Sequence, residues 1–92
     1  MYLVKLTSRK NDNASFFEDR AFNAYQTKMY QKKWKHEHCI VEGNVQRYIF
    51  VWPNEEAYQT WYDDPTVTKH RTAMEHYNSS NEINLNEIKL KV

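Results

Sequence analysis

The sequence predicts a small α+β domain on the ferredoxin-like βαββαβ plan, with a four-stranded antiparallel sheet and helices on one face. Three observations predict it. Apolar side chains alternate at both ends of the chain, two stretches carry helical spacing, and a hairpin signal lies between those stretches. The length of 92 residues suits one core rather than two, so 1–92 reads as a single domain.

From Met1 to Thr7, Tyr2, Val4 and Leu6 fall on one side of an extended chain and Leu3, Lys5 and Thr7 on the other, the period of a half-buried strand. Asn11, Asp12 and Asn13 then read as a polar turn. Ser15 with Glu18 three residues later has the form of a capping box, so the first helix is expected to begin near Ser15. Phe17, Ala21, Phe22, Tyr25 and Met29 give it an apolar stripe, and Lys28, Lys32 and Lys33, with the neutral Gln31 among them, place cations toward its C-terminal end. From Lys35 the pattern is extended again. Gly43-Asn44 between two such runs suits a two-residue hairpin of type II′ or I′.

Pro53 ends the third strand, Asn54 can cap the next helix, and Glu55 and Glu56 suit its positive end. That helix carries Ala57, Tyr58, Trp61 and Tyr62. Asp64-Pro65 repeats the start signal, so the helical region is expected to break and resume, with Val67, Arg71, Met74 and Tyr77 on one face. Asn78 to Glu82 reads as a loop. In the last strand Ile83 and Leu85 share one phase and Ile88, Leu90 and Val92 the other, which predicts a bulge or bend near Asn86-Glu87.

Composition narrows the function classes. Thirteen Lys and Arg nearly balance twelve Asp and Glu, so duplex nucleic acid is not an expected partner. No apolar run has the length of a membrane span, and Met1 leads into a strand rather than a secretory signal, so a cytoplasmic protein is expected. The single cysteine, Cys39, excludes an internal disulfide and fits a reducing compartment. With Gly43 the one glycine, phosphate-cradling loops and dinucleotide fingerprints are excluded, and no cofactor is expected. Aromatic residues make up 15% of the chain, enough to build a core or an interface from few side chains.

A turn at Gly43-Asn44 pairs Val41 with Gln46, Cys39 with Tyr48, Glu37 with Phe50, Ile40 with Arg47, His38 with Ile49 and His36 with Val51. The more aromatic face, with Val41, Cys39, Tyr48, Phe50 and Trp52, is expected under the helices together with Tyr2, Val4, Leu6, Ile88 and Leu90. The other face combines Ile40, Ile49 and Val51 with His36, His38, Arg47, Lys5, Thr7 and Lys89. An apolar floor with a few convergent polar groups is the composition of a small-molecule site. Arg47 and Lys5 could hold an anionic or enolisable ligand and His36 or His38 could move a proton. Solvation or an interface explains the same polar groups without a ligand. A register shifted by one would instead bring Tyr48, Phe50 and Trp52 to the pocket.

His36 and His38 lack an obvious third ligand, so no metal is expected. His70 and His76 read as exposed, and Cys39 as a small buried hydrophobe rather than a nucleophile. Asp63-Asp64 reads as a helix stop and cap.

The stretch Tyr48-Ile-Phe-Val-Trp-Pro-Asn-Glu-Glu-Ala-Tyr-Gln-Thr-Trp-Tyr-Asp-Asp-Pro, followed by His70, Glu75 and Tyr77-Asn78, resembles the dimeric α/β-barrel superfamily and, within it, antibiotic-biosynthesis-monooxygenase-like proteins. The resemblance implies a homodimer of sheets packed face to face, with pockets inside the barrel or between sheet and helices. It also implies cofactor-independent oxygenase, lyase or isomerase chemistry, haem degradation, or no activity at all. By this analogy Trp52, Tyr58 and Asn78 stand near a pocket; an axial histidine cannot be assigned to His70 or His76.

Three readings follow: a small-molecule-binding homodimer, which the sequence leaves open as an enzyme; a non-catalytic interaction module; and, least favoured, a sheet that binds single-stranded nucleic acid through Tyr48, Phe50 and Trp52.

Overall fold

A computed structural model describes residues 1–34 and 36–92, with backbone alone at His36. The elements are β1 (Tyr2–Arg9), α1 (Arg20–Tyr30), β2 (His36–Glu42), β3 (Val45–Trp52), α2 (Glu55–Tyr62), α3 (Pro65–Ser80) and β4 (Asn84–Lys91). The strands form one antiparallel sheet in the order β2-β3-β1-β4. This is the βαββαβ plan, with the second helical region split into α2 and α3 as the Asp64-Pro65 signal predicted.

The hairpin turns at Gly43-Asn44, and its register is the predicted one: Cys39 opposite Tyr48, Ile40 opposite Arg47, His38 opposite Ile49. Gly43 has φ +57°, the left-handed region glycine enters without steric penalty. Asn44 does not share that sign, which selects the II′ form over I′. Lys10 N–H bonds the Asn44 carbonyl at 3.0 Å and fastens the hairpin tip to the end of β1.

Tyr2, Val4, Phe50 and Trp52 on the sheet pack with Tyr30, Trp34 and Tyr58 to make the core. Their rings meet mostly edge-on or tilted, the geometry that ring quadrupoles favour. The side of the sheet that the sequence assigned to the helices is therefore correct for β1, β2 and β3. It is not correct for β4. The β1–β4 register runs without interruption from Asn84 to Lys91, so the predicted bulge near Asn86-Glu87 is absent. Val4 lies opposite Lys89 and Leu6 opposite Glu87, which puts Glu87 and Lys89 on the helix side and Ile88 and Leu90 on the open side. The physical reason is a tertiary contact. Lys89 lies 5.2 Å from the Tyr58 ring centroid and 5.3 Å from that of Tyr62, and pairs with Glu87 at 3.1 Å, so these charged side chains are accommodated beneath α2.

The start of α1 also differs. The helix begins at Arg20, not Ser15, and its cap is Asp19, whose Oδ1 accepts from the Phe22 N–H at 3.0 Å. The Ser15 carbonyl accepts from the Tyr77 hydroxyl at 2.7 Å, and Phe17 packs against the rings of Tyr77 and His70. These tertiary contacts hold 15–18 outside the helix. At the other end of the helical layer, α3 runs through Asn78, which is buried, to Ser80, so the expected loop shortens to Asn81-Glu82. Among the described residues no helix is long and apolar enough to cross a membrane.

Candidate functional site

A cleft of about 250 Å³ lies between the helix side of the sheet and the helices. On α3, Val67, His70, Arg71 and Met74 fall at i, i+3, i+4 and i+7, the spacing that turns four side chains toward one wall, and all four line the cleft. Phe50, Tyr48 and Leu6 form its floor. Phe22 and Gln26 of α1, Tyr58, Trp61 and Tyr62 of α2, and Phe17 and Asp19 of the preceding segment complete it.

His70 is the one imidazole on this wall. Its Nδ1 lies 3.2 Å from Asp19 Oδ2, and the ring stacks on Phe22 at 3.7 Å with 6° between planes. Asp19 thus uses one oxygen to start α1 and the other to orient an imidazole on α3. An Nδ1–H donated to a carboxylate leaves Nε2 carrying the lone pair, the tautomer a general base needs. Burial pushes the His70 pKa below its ordinary value, against the opposing pull of Asp19. The Phe22 amide, with His70 second, holds the Asp19 carboxyl below the usual range. Neutral imidazole beside ionised carboxylate is the resulting state near neutral pH.

Arg71 stands beside this pair. Its guanidinium lies 3.8 Å over the Tyr62 ring and donates to the Tyr62 carbonyl at 3.3 Å. No carboxylate among the described residues is within ion-pair distance of it. Trp61 Nε1 donates to Gln26 Oε1 at 3.1 Å, which fixes the indole in the wall. The Tyr48 hydroxyl donates to Glu37, and burial, reinforced by that carboxylate, raises its pKa. The Tyr58 hydroxyl lies 3.4 Å from Glu87, and burial pushes its pKa up to about 12. Both phenols are neutral donors. Among the described residues no three His, Cys, Asp or Glu side chains converge as a metal site.

The residues singled out from the sequence divide between the two sides of the sheet. Tyr58 lines the cleft, and Trp52 lies wholly buried in the core beneath it. Lys5, Arg47, Ile49 and His38 alternate onto the open face, where Lys5 is opposite Ile49 and Thr7 opposite Arg47. His36 pairs with Val51 through its backbone, and its side chain lies outside the described residues. Cys39 is exposed rather than buried, and desolvation raises its thiol pKa, which favours the unreactive thiol. His76 is exposed as expected; His70 is not, since its side chain keeps 19% of its accessible surface. The sequence did hold a signal for it. Val67, Arg71 and Met74 already define the inward face of α3, and His70 falls at i+3 within that set.

No protein-family model matches the chain, and no curated protein does. Solved structures do. A Deinococcus radiodurans protein described as a candidate antibiotic biosynthesis monooxygenase is 15% identical, with a TM-score of 0.71 over 100% of this chain and 92% of its own. SnoaB, a cofactor-independent oxygenase from Streptomyces nogalater, is 12% identical, with a TM-score of 0.66 over 99% of this chain and 92% of its own. A conserved Bacteroides thetaiotaomicron protein of unknown function, 9% identical, reaches a TM-score of 0.71 over 99% of this chain and 96% of its own. The chain therefore has the ferredoxin-like α+β fold of the antibiotic-biosynthesis-monooxygenase-like structures, along its whole length.

Proposed function

We propose that the chain binds a small planar aromatic molecule in the cleft between sheet and helices and acts on it by proton abstraction, with His70 as base. The observation that carries this reading is the His70–Asp19 pair set in an aromatic wall. Rings such as Phe17, Trp61 and Tyr62 suit a flat apolar ligand, and a volume of about 250 Å³ suits a small one. A phenol or an enolisable ketone has the O–H or C–H for His70 to remove. Arg71, on the same wall, would stabilise the phenolate or enolate that forms. Such an electron-rich anion can react with dioxygen without a cofactor, or take its proton back at another atom. The reading is thus an oxygenase-type or isomerase-type enzyme, and the oxygenases that share the fold support the first.

The assembly that goes with it is a homodimer through the open sheet face. Ile88 and Leu90 are 40% and 51% exposed there, on the same side as Leu3, Ile49 and Val51. A second copy covering them would enclose Lys5, Arg47 and His38 between the sheets, so an anionic group held by Lys5 and Arg47 belongs to this second reading of the ligand site. The single exposed cysteine suits a reducing, cytoplasmic setting.

Titration with a panel of phenols and enolisable aromatic ketones tests the cleft, followed by Trp emission and by the His70 ring resonances. Saturable shifts of both, with turnover lost in His70→Asn and binding retained, are expected. Shifts in neither, for any compound, would leave a non-catalytic interaction module as the better reading.

A further inference from the structure

The core aromatics form an unbroken path from the cleft wall to the C-terminal end of α1. Trp61 lines the cleft, and its ring centroid lies 5.8 Å from that of Trp52. Trp52 lies 6.2 Å from Tyr30, and the Tyr30 hydroxyl donates to Asp64 Oδ2 at 2.7 Å. Indoles and phenols are the side chains that give up single electrons most readily, and what becomes of the hole depends on where the accompanying proton can go.

The stations differ in this respect. Trp52 is 0% exposed, and its Nε1 has no hydrogen-bond partner among the described residues. An oxidised Trp52 ring therefore has nowhere to release its N–H proton and cannot settle there. Tyr30 has an acceptor at hydrogen-bonding distance, the reach proton transfer requires. Trp34, 5.5 Å from Trp52, is a second indole and like it yields the hole to a phenol that has a proton acceptor, and the other phenols near the Trp rings are poorer stations. The Tyr58 hydroxyl lies 3.4 Å from its carboxylate, and Tyr48 is joined to the Trp rings through Phe50, which resists oxidation.

We infer that Trp61, Trp52 and Tyr30 form a conduit that removes an oxidising equivalent from the cleft, with Asp64 as the proton acceptor at its end. An oxygen-centred radical at the cleft wall takes one electron from Trp61 and is reduced by it. Trp52 refills Trp61, and Tyr30 refills Trp52. In that last step the Tyr30 O–H bond breaks, the electron passing to Trp52 and the proton to Asp64 Oδ2, which leaves a neutral phenoxyl. A thiolate in solution returns an electron, becoming a thiyl radical, and Asp64 returns the proton. The cleft is thereby spared oxidation of its own wall.

Azide radicals generated by pulse radiolysis oxidise indoles in preference to phenols and serve as the probe on the full chain. Indolyl absorption is expected to decay as phenoxyl absorption grows, at a single rate independent of protein concentration. Tyr30→Phe removes one hydroxyl from an otherwise intact ring and is expected to lose most of the phenoxyl yield. Asp64→Asn keeps a side chain able to cap α3 and is expected to slow the conversion severalfold. A rate that rises in proportion to protein concentration, or full phenoxyl yield at the native rate in both variants, overturns the conduit.

Discussion

The Tyr30 hydroxyl donates to Asp64 Oδ2 at 2.7 Å, joining the last residue of α1 to the cap of α3 across 34 positions of sequence. The Tyr25 hydroxyl reaches the same oxygen at 2.6 Å, while Asp64 Oδ1 accepts from the Thr66 N–H at 2.9 Å. The Tyr25 bond, then the Tyr30 bond, hold the Asp64 carboxyl below its ordinary pKa. A depressed carboxylate pKa means the unfolded chain binds the proton more tightly. This contribution to stability is present above pH about 4 and is lost as the pH falls through the folded value. Asp64→Ala should lower stability by roughly 0.5–2 kcal/mol from loss of the cap. Urea denaturation at neutral pH checks this, and the difference from wild type should shrink as the pH falls below that of an ordinary carboxylate.

His70 gives a second pH signature. Its pKa is lowered chiefly by burial, so the neutral base persists below the ordinary imidazole value of about 6.5. The unfolded chain again binds the proton more tightly, and stability from burying the neutral ring is present above about 6.5 and lost as the pH falls. Asp19→Asn retains a capping side chain for α1 but removes the carboxylate that raises the His70 pKa, so the ring should titrate still lower. NMR titration of the His70 ring in the two proteins measures the shift; an upward move in the variant contradicts the pairing.

Glu82 occupies a backbone conformation that glycine favours. Its φ is +56°, and the Ile83 N–H bonds the Asn78 carbonyl at 2.9 Å, the closing bond of a Schellman cap with the buried Ile83 as its apolar contact. Glu82→Gly should stabilise the fold by about 1 kcal/mol by relieving the left-handed strain of a residue with a Cβ. A thermal melt that moves down instead would show that the 3.5 Å contact between Asn11 and Glu82 outweighs the backbone.

The open face of the sheet makes a prediction about assembly. Leu90→Lys places a charge among Leu3, Ile88 and their neighbours without touching the cleft. The wild-type chain should sediment as a dimer and the variant as a monomer of unchanged circular dichroism. Equal sedimentation of both removes this face as the contact between copies.

Much of the fold was legible because its signals are local. Gly43-Asn44 fixed the register of β2 against β3, and Asn54 and Asp64-Pro65 marked the helix starts where they occur. The misread elements depend on distant partners. A capping box at Ser15 is a sound local pattern, but Asp19 gains the Phe22 amide and His70 together, and Phe17 is held by Tyr77. In β4 a period of two shows that the faces alternate, not which of them is inward. Ile88 and Leu90 were assigned to the core for being apolar, while Lys89 finds its place through the rings of Tyr58 and Tyr62. The candidate base sits on a face of α3 that the sequence marks as inward, but its partner is hidden, since the carboxylate that orients His70 lies 51 positions away.

Asp19 ties two events that are usually separate. The carboxylate that nucleates the first turn of α1 also sets the tautomer of the cleft imidazole. Fraying of that turn would disarm the base, and anything that clamps the base would in turn stiffen the turn. Exchange of the Phe22 amide with solvent therefore becomes a remote readout of the His70–Asp19 pair, measurable without a substrate.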